Sequence, residues 1–210
     1  MVAAVRPEDN LKLESGRLCL DFTNTAEWHL SDHPAERLTS YAELTAWARA
    51  IGLLPDRTAQ QLRRAAEQRP AEAARVLERA VALREAIYHI FVAVAQGQTP
   101  STADQSILNA ELTRLMSKSC LVWNKATFDW ERQGADGDLD QLLWWIVRSA
   151  SELLTSEDIK RVGVCADDRG CGWLFYDTSR NRTRQWCSMR GCGNRAKAKR
   201  HYEKERVAKA

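Results

Sequence analysis

The chain has 210 residues, 44% of them apolar, which is enough for one large domain or for a medium domain with a small module attached. No apolar run approaches the ~18 residues that a membrane span needs, and the opening MVAAVRPEDNLKLE turns acidic too soon for a secretory leader, so a cytoplasmic protein is expected. The formal net charge of +3 is segregated: Ile159–Ala210 holds 14 Lys/Arg against 5 Asp/Glu, a net of +9, whereas the other 158 residues hold 17 against 23, a net of −6. A division of that size predicts two modules, residues 1–158 and 159–210, the second of which seeks an anion, usually nucleic acid.

In chain order the first module reads as mainly α. Ser40-Tyr41-Ala42-Glu43 has the pattern of a capping box, in which a hydroxyl and a carboxylate satisfy free amides at a helix start. Leu44, Trp47, Ala48 and Ile51 then share one face, and Gly52 closes the segment. A second helix is expected over Asp56–Gln68, ending before Pro70. The third, Ala71–Gln96, carries a continuous stripe of Val76, Ala80, Leu83, Ile87, Ile90 and Val94. His89, inside that apolar helix, is expected to pack in the core or a groove. Thr102-Ala103-Asp104-Gln105 is a second capping-box pattern and opens a fourth helix. The texture then changes: Cys120 to Trp130 reads as a β-hairpin broken at Asn124-Lys125, with a turn at Asp136-Gly137 beyond it. Asp138–Thr155 is a helix whose broad apolar face, widened by Trp144 and Trp145, implies packing on two sides.

Near the start, Asp21, Asn24, Thr25, Trp28, His29 and His33 form a polar-aromatic cluster. A sensor pocket is one reading. A buried hydrogen-bond network that docks the N-terminus is the favoured one, because buried polar groups need partners in any case. Cys19 and Cys120 read as small core residues. The chain has no HExxH, P-loop, GxGxxG or GxSxG motif, and no enzyme activity is expected.

The second module concentrates the chemistry. Five residues separate Cys165 from Cys171 and four separate Cys187 from Cys192. In a reducing compartment such pairs hold a metal more often than they form disulfides. Two cysteine pairs can supply the four tetrahedral ligands of one structural Zn2+, with no open position for catalysis. Free thiols and a redox disulfide centre are the alternatives. A module of about 50 residues has a meagre core, and structural zinc can contribute ~10–16 kcal/mol of apparent folding energy. Between the pairs, Trp173–Tyr176 reads as a strand, Asp177–Arg182 as a turn and Thr183–Trp186 as the returning strand. A basic helix follows from Arg195 to about Val207. The expected fold is therefore mainly α, with a helical N-terminal domain, a small β-hairpin, and a treble-clef-like or ribbon-like four-cysteine module ending in a basic helix.

Trp186-Cys187-Ser188-Met189 followed by Cys192-Gly193-Asn194-Arg195 resembles the CGNR-type zinc finger, as do Gly172-Trp173-Leu174-Phe175 and Asp177-Thr178-Ser179-Arg180-Asn181. Upstream, Leu18-Cys19-Leu20-Asp21-Phe22-Thr23-Asn24-Thr25 resembles the opening of the ABATE domain, the mostly helical partner of that finger. The resemblance covers nearly the whole chain and implies a stress-induced transcription regulator of bacteria that binds DNA. One departure is the first cysteine pair. The family commonly has four intervening residues there, and Gly170 can absorb the fifth in a knuckle turn.

The candidate nucleic-acid contacts are Arg180, Arg182 and Arg184, which alternate onto one face if the returning strand forms, then Arg190, Arg195, Lys197, Lys199, Arg200 and Lys204. Asn194 and Arg195 have a structural reading of equal weight, one capping the helix and the other bracing the zinc knuckle. DNA is the expected partner, with a homodimer suggested by the symmetry of many operators. A zinc-scaffolded RNA- or protein-interaction module and a zinc-thiolate redox sensor are the rival functions.

Overall fold

The computed structural model describes residues 11–135 and 137–208; the opening residues read for a leader, Asp136 of the expected turn and the last two residues lie outside it. A short helix α1 (Leu18–Thr23) leads into a two-residue hairpin, β1 (Ala26–Glu27) with β2 (Ala35–Glu36). Four helices follow: α2 (Tyr41–Ala50), α3 (Asp56–Gln68), α4 (Pro70–Ala95) and α5 (Thr102–Met116). The hairpin β3 (Ser119–Trp123) with β4 (Phe128–Arg132) lies where the alternation predicts it, and α6 (Gln141–Leu154) comes next. No helix among the described residues is long and apolar enough to cross a membrane.

The stripe on α4 explains its position. Val76, Ala80, Leu83, Ile87 and Ile90 are buried, and so are Ala73, Ala86, Tyr88 and Phe91 beyond the stripe. A helix buried this widely is central, and α4 touches α1, α2, α3, α5 and the strands of the last hairpin. The doubly apolar α6 packs on α1 and α5, with Trp144 fully buried and its Nε1–H donating to Ser119 Oγ at 2.6 Å. The start of α2 is capped as expected: Glu43 N–H donates to Ser40 Oγ, and the Glu43 carboxylate accepts from Thr39 N–H. The cap of α5 sits one residue earlier than the pattern suggests, since Ser101 Oγ accepts from Ala103 and Asp104 amides. Asp104 instead faces His89, which stands exposed on α4 and is not packed in the core or a groove as expected.

One ion network is built on a buried arginine. The Arg84 guanidinium is 3% exposed and donates to both Glu36 oxygens at 2.6 Å and to Glu85 Oε1. Burial raises the Glu85 carboxyl, but hydrogen bonds from His29 and Arg84 outweigh it and hold it at about 2.

After α6 a 3-10 turn (Glu157–Arg161) leads to β5 (Val162–Val164), which pairs antiparallel with β6 (Leu174–Tyr176), Gly163 opposite Phe175. Thr183–Trp186 forms no strand. The strand partner of Leu174–Tyr176 is therefore upstream, not downstream. The side chain of Asp177 favours a turn: its carboxylate accepts from the Ser179 and Arg184 amides and diverts the chain out of register. β6 also joins the helical core, since Leu174 is fully buried and β6 contacts α1 and α4.

Candidate metal centre and its basic surround

Four segments bring the cysteines together. Cys165 follows β5, and its amide donates to the Trp173 carbonyl at 2.9 Å. Cys171 lies between Gly170 (φ +84°) and Gly172 (φ +65°), a backbone that only glycine adopts cheaply. Gly170 turns the chain within the knuckle, and a Cβ there would also lie 2.6 Å from the Ser31 amide nitrogen. Cys187 follows the irregular segment, and Cys192 sits in one π-helical turn (Met189–Gly193) capped by Ser188 Oγ. That turn runs directly into the basic helix α7 (Asn194–Ala208).

The four Sγ atoms all lie within 4.8 Å of one another. Cys171–Cys187 and Cys187–Cys192 separations are 3.8 and 3.6 Å. Tetrahedral zinc with Zn–S of about 2.3 Å requires sulfur–sulfur edges near ~3.8 Å, so the donor set fits that ion. The electrostatics agree. Hydrogen bonds from Cys171 and Cys187 hold Cys165 as a thiolate far below the ordinary thiol range. Donating to that anion pushes Cys171 and Cys187 up, while burial and then Asp167 push Cys192 up. Four thiolates this close need a dication to coexist.

Both modules build the wall around the thiols. Trp173 and Trp186 pack there from the C-terminal segment, and Trp28 from the N-terminal one. Trp28 takes the left-handed conformation, φ +57°, a costly choice for a bulky residue. Its ring lies 5.1 Å from the Arg169 guanidinium and 5.5 Å from that of Arg195. The next residues strap the knuckle down: His29 N–H donates to the Cys171 carbonyl at 3.2 Å and Leu30 N–H to the Gly170 carbonyl at 3.0 Å. Tyr88 Oη donates to the Gly172 carbonyl, with the His29 ring stacked on it at 3.9 Å. Asn24 clamps β6 from both sides, its Nδ2 donating to the Leu174 carbonyl and its Oδ1 accepting from the Leu174 amide, each at 2.9 Å. Asp21 accepts from the Glu14 and Ser15 amides, and Thr25 donates to the Phe22 carbonyl. His33 alone of that cluster stands exposed. The polar-aromatic group is thus largely a buried docking network.

Residues 16–157 match the family ABATE, described as "Putative stress-induced transcription regulator". The chain belongs to the ABATE family. Residues 161–205 match the CGNR zinc finger. The cofactor of this ABATE protein is one Zn2+, which the finger and its four clustered cysteines call for. No curated protein matches the chain.

The nine basic residues singled out in the sequence divide into two groups. Arg184 is bound internally: its guanidinium donates to the carbonyls of Tyr176, Trp186 and Cys187 and stacks over Phe175 at 4.6 Å. Arg195 donates to Asp167 Oδ2 from Nε and Nη2, and from Nη2 to Cys192 Sγ at 2.9 Å, which braces the knuckle. Arg180, Arg182, Arg190, Lys197, Lys199, Arg200 and Lys204 are exposed. Arg182 has φ +52° in a turn, so the expected period-two alignment with Arg180 and Arg184 does not form. Lys199 pairs with Asp168, and Arg200 reaches back over Trp186. Sequence reasoning missed Asp167, which orients Arg195, and Leu30, which covers Gly170. Asp167 sits in a short acidic turn that looks like any other, and nothing local to Leu30 points to a segment 140 residues away.

Proposed function

We propose that the chain is a non-enzymatic, DNA-binding transcription regulator acting in the cytoplasm. In this reading Cys165, Cys171, Cys187 and Cys192 hold the zinc, which supplies a fixed cross-link and no chemistry. Residues 159–210 form the finger, and residues 1–158 receive a signal or a partner. The observation that carries the reading is the placement of α7. It follows directly on the turn that holds Cys192, shows no buried large apolar side chain over residues 194–206, and exposes Lys197, Lys199, Arg200 and Lys204. A helix with so little to bury is suited to an anionic surface, and duplex DNA, with one phosphate charge per ~1.7 Å of helix axis, is a dense one. Arg180, Arg182 and Arg190 add exposed charge on the turns that precede it in the chain. Arg184 and Arg195 serve the finger's own fold.

The test is fluorescence anisotropy of the zinc-loaded chain on mixed-sequence duplex DNA and on single-stranded RNA over a salt series. Duplex binding should fall steeply with salt. The triple variant Lys197→Ala/Arg200→Ala/Lys204→Ala should lower the log–log slope by roughly 2–3, close to 0.9 per phosphate contact. An unchanged slope would remove α7 from the interface, and tighter binding to RNA than to duplex would move the function to RNA.

A further inference from the structure

Trp28 belongs to the N-terminal body, in the loop between β1 and β2, yet it stands at the thiols. Its backbone takes φ +57°, which a bulky residue adopts only at a cost. Strain of that kind persists where the surroundings over-determine it, and it gathers at functional sites. Here the anchors lie on both sides. β1 pairs with β2, and Arg84 donates to Glu36 of β2 and to Thr25 just before β1. Beyond Trp28, the His29 and Leu30 amides are bonded to the knuckle. The loop can relax only by breaking one of these anchors.

What the ring touches gives the strain a use. Two guanidinium groups lie over it, those of Arg169 and Arg195. Both converge on Asp167, whose side chain is 3% exposed. Arg195 donates to its Oδ2 from Nε and Nη2, while Arg169 donates its amide to Oδ1 and brings its side chain within 3.5 Å. One carboxylate neutralises one guanidinium. The second cation draws on the Cys192 sulfur and on the face of the indole, the best cation-binding face that an uncharged side chain offers. Arg195 also needs a wall. Its side chain is 38% exposed, it borders a cavity of about 200 Å³, and an arginine stem has many rotamers to escape into. Close packing therefore does not keep its Nη2 at 2.9 Å from Cys192 Sγ; Asp167 and the Trp28 face do.

We propose that Trp28 is a positioning residue of the zinc site: from the N-terminal body it holds the Arg195 guanidinium on Cys192 Sγ, and so sets how tightly the finger keeps its metal. A hydrogen bond to a ligating thiolate offsets part of the negative charge that four sulfurs crowd around one ion, and partners of this kind are worth about 10–100-fold in metal affinity. A displacement of the β1–β2 loop is then felt at a zinc ligand through one side chain. The proposal rests on Cys192 being a ligand and does not depend on DNA binding.

Chelator competition on the zinc-loaded chain tests it as a double-mutant cycle, with circular dichroism to confirm folding. Arg195→Gln should weaken zinc binding about 10–100-fold. Trp28→Leu keeps apolar bulk and loses the aromatic face, and should weaken it roughly 3–10-fold. Trp28→Phe restores a face and should stay within about twofold of wild type. In the Arg195→Gln background Trp28→Leu should add less than about twofold, because the ring acts through the guanidinium. Should Trp28→Leu lose helical signal, Trp28→Met takes its place in the cycle. An equal loss from Trp28→Leu in both backgrounds overturns the proposal, since it means packing alone, and so does a Trp28→Phe chain as weak as Trp28→Leu. Cys192→Ser separates this inference from the reading beneath it. If that variant keeps zinc at wild-type affinity, the ligand assignment falls and the proposal with it. If it loses zinc while Trp28→Leu binds as wild type does, the proposal alone falls.

Discussion

The helical body and the finger are stabilised on different grounds. The body rests on burial: α4 and α6 place Leu83, Ile87, Leu142, Leu143, Trp144 and Ile146 wholly out of water. The finger has little of that kind. Its own apolar wall consists of Trp173, Trp186 and the cysteines themselves, and it borrows Trp28, Asn24 and the His29–Leu30 strap from the other end of the chain. A region lacking a core can be ordered by an ion at its centre and by hydrogen bonds to a neighbour that already has one. The finger uses both.

The largest effect expected from breaking that contrast comes from the metal. Cys192→Ser, or exhaustive chelation, removes a contribution of ~10–16 kcal/mol from the finger alone. Tryptophan fluorescence should change strongly, because three indoles line the thiols. The far-ultraviolet helix signal should fall only by the share of α7 and the π turn. Loss of the whole helical signal with the metal would mean that body and finger are one unit with no division of labour. Next in size is Asn24→Ala. It leaves the buried N–H and carbonyl of Leu174 without partners, at a cost of about 2–4 kcal/mol for the two. Urea unfolding should show that loss, and competition with a chelator should show weaker zinc retention, because the clamp joins the regions. Undiminished zinc retention would mean that β6 is positioned without Asn24. The smallest effect is Ser101→Ala, which removes the cap of α5 and costs about 1 kcal/mol. It should lower the urea midpoint of the body and leave zinc retention unchanged. A change in zinc retention would link α5 to the finger and blur the contrast.

The same division separates what the sequence reveals from what it hides. The helices α2 to α6 are legible because each carries its own apolar period and stop. The hairpin β3–β4 shows in its alternation, and the four cysteines show in their pairing and in the motif that follows them. What stays hidden depends on distant partners. Leu174–Tyr176 has a plausible strand partner on either side, and only the carboxylate of Asp177, by turning the chain, decides for β5. Arg184 and Arg195 look like any other basic residues in a positive run until their carbonyl, carboxylate and thiol partners are in place. His89 occupies an apolar helix but falls on its single wet side. The knuckle glycine is suggestive in sequence. That Gly170 must also admit the backbone of Leu30 and Ser31 is not.

The Asn24 clamp joins residues 150 positions apart. A chain grows from its N-terminus at about 5–20 residues per second. For roughly 8–30 s of synthesis at that rate, Asn24 and the wall around it face a ligand that has not yet been made. The groove that will hold β6 must stay wet and open through that interval, with the edge of α1 unprotected. Contacts of this separation form slowly even in the finished chain, since the loop must close before anything is gained. A strand made 150 residues later is thus what closes the groove beside α1.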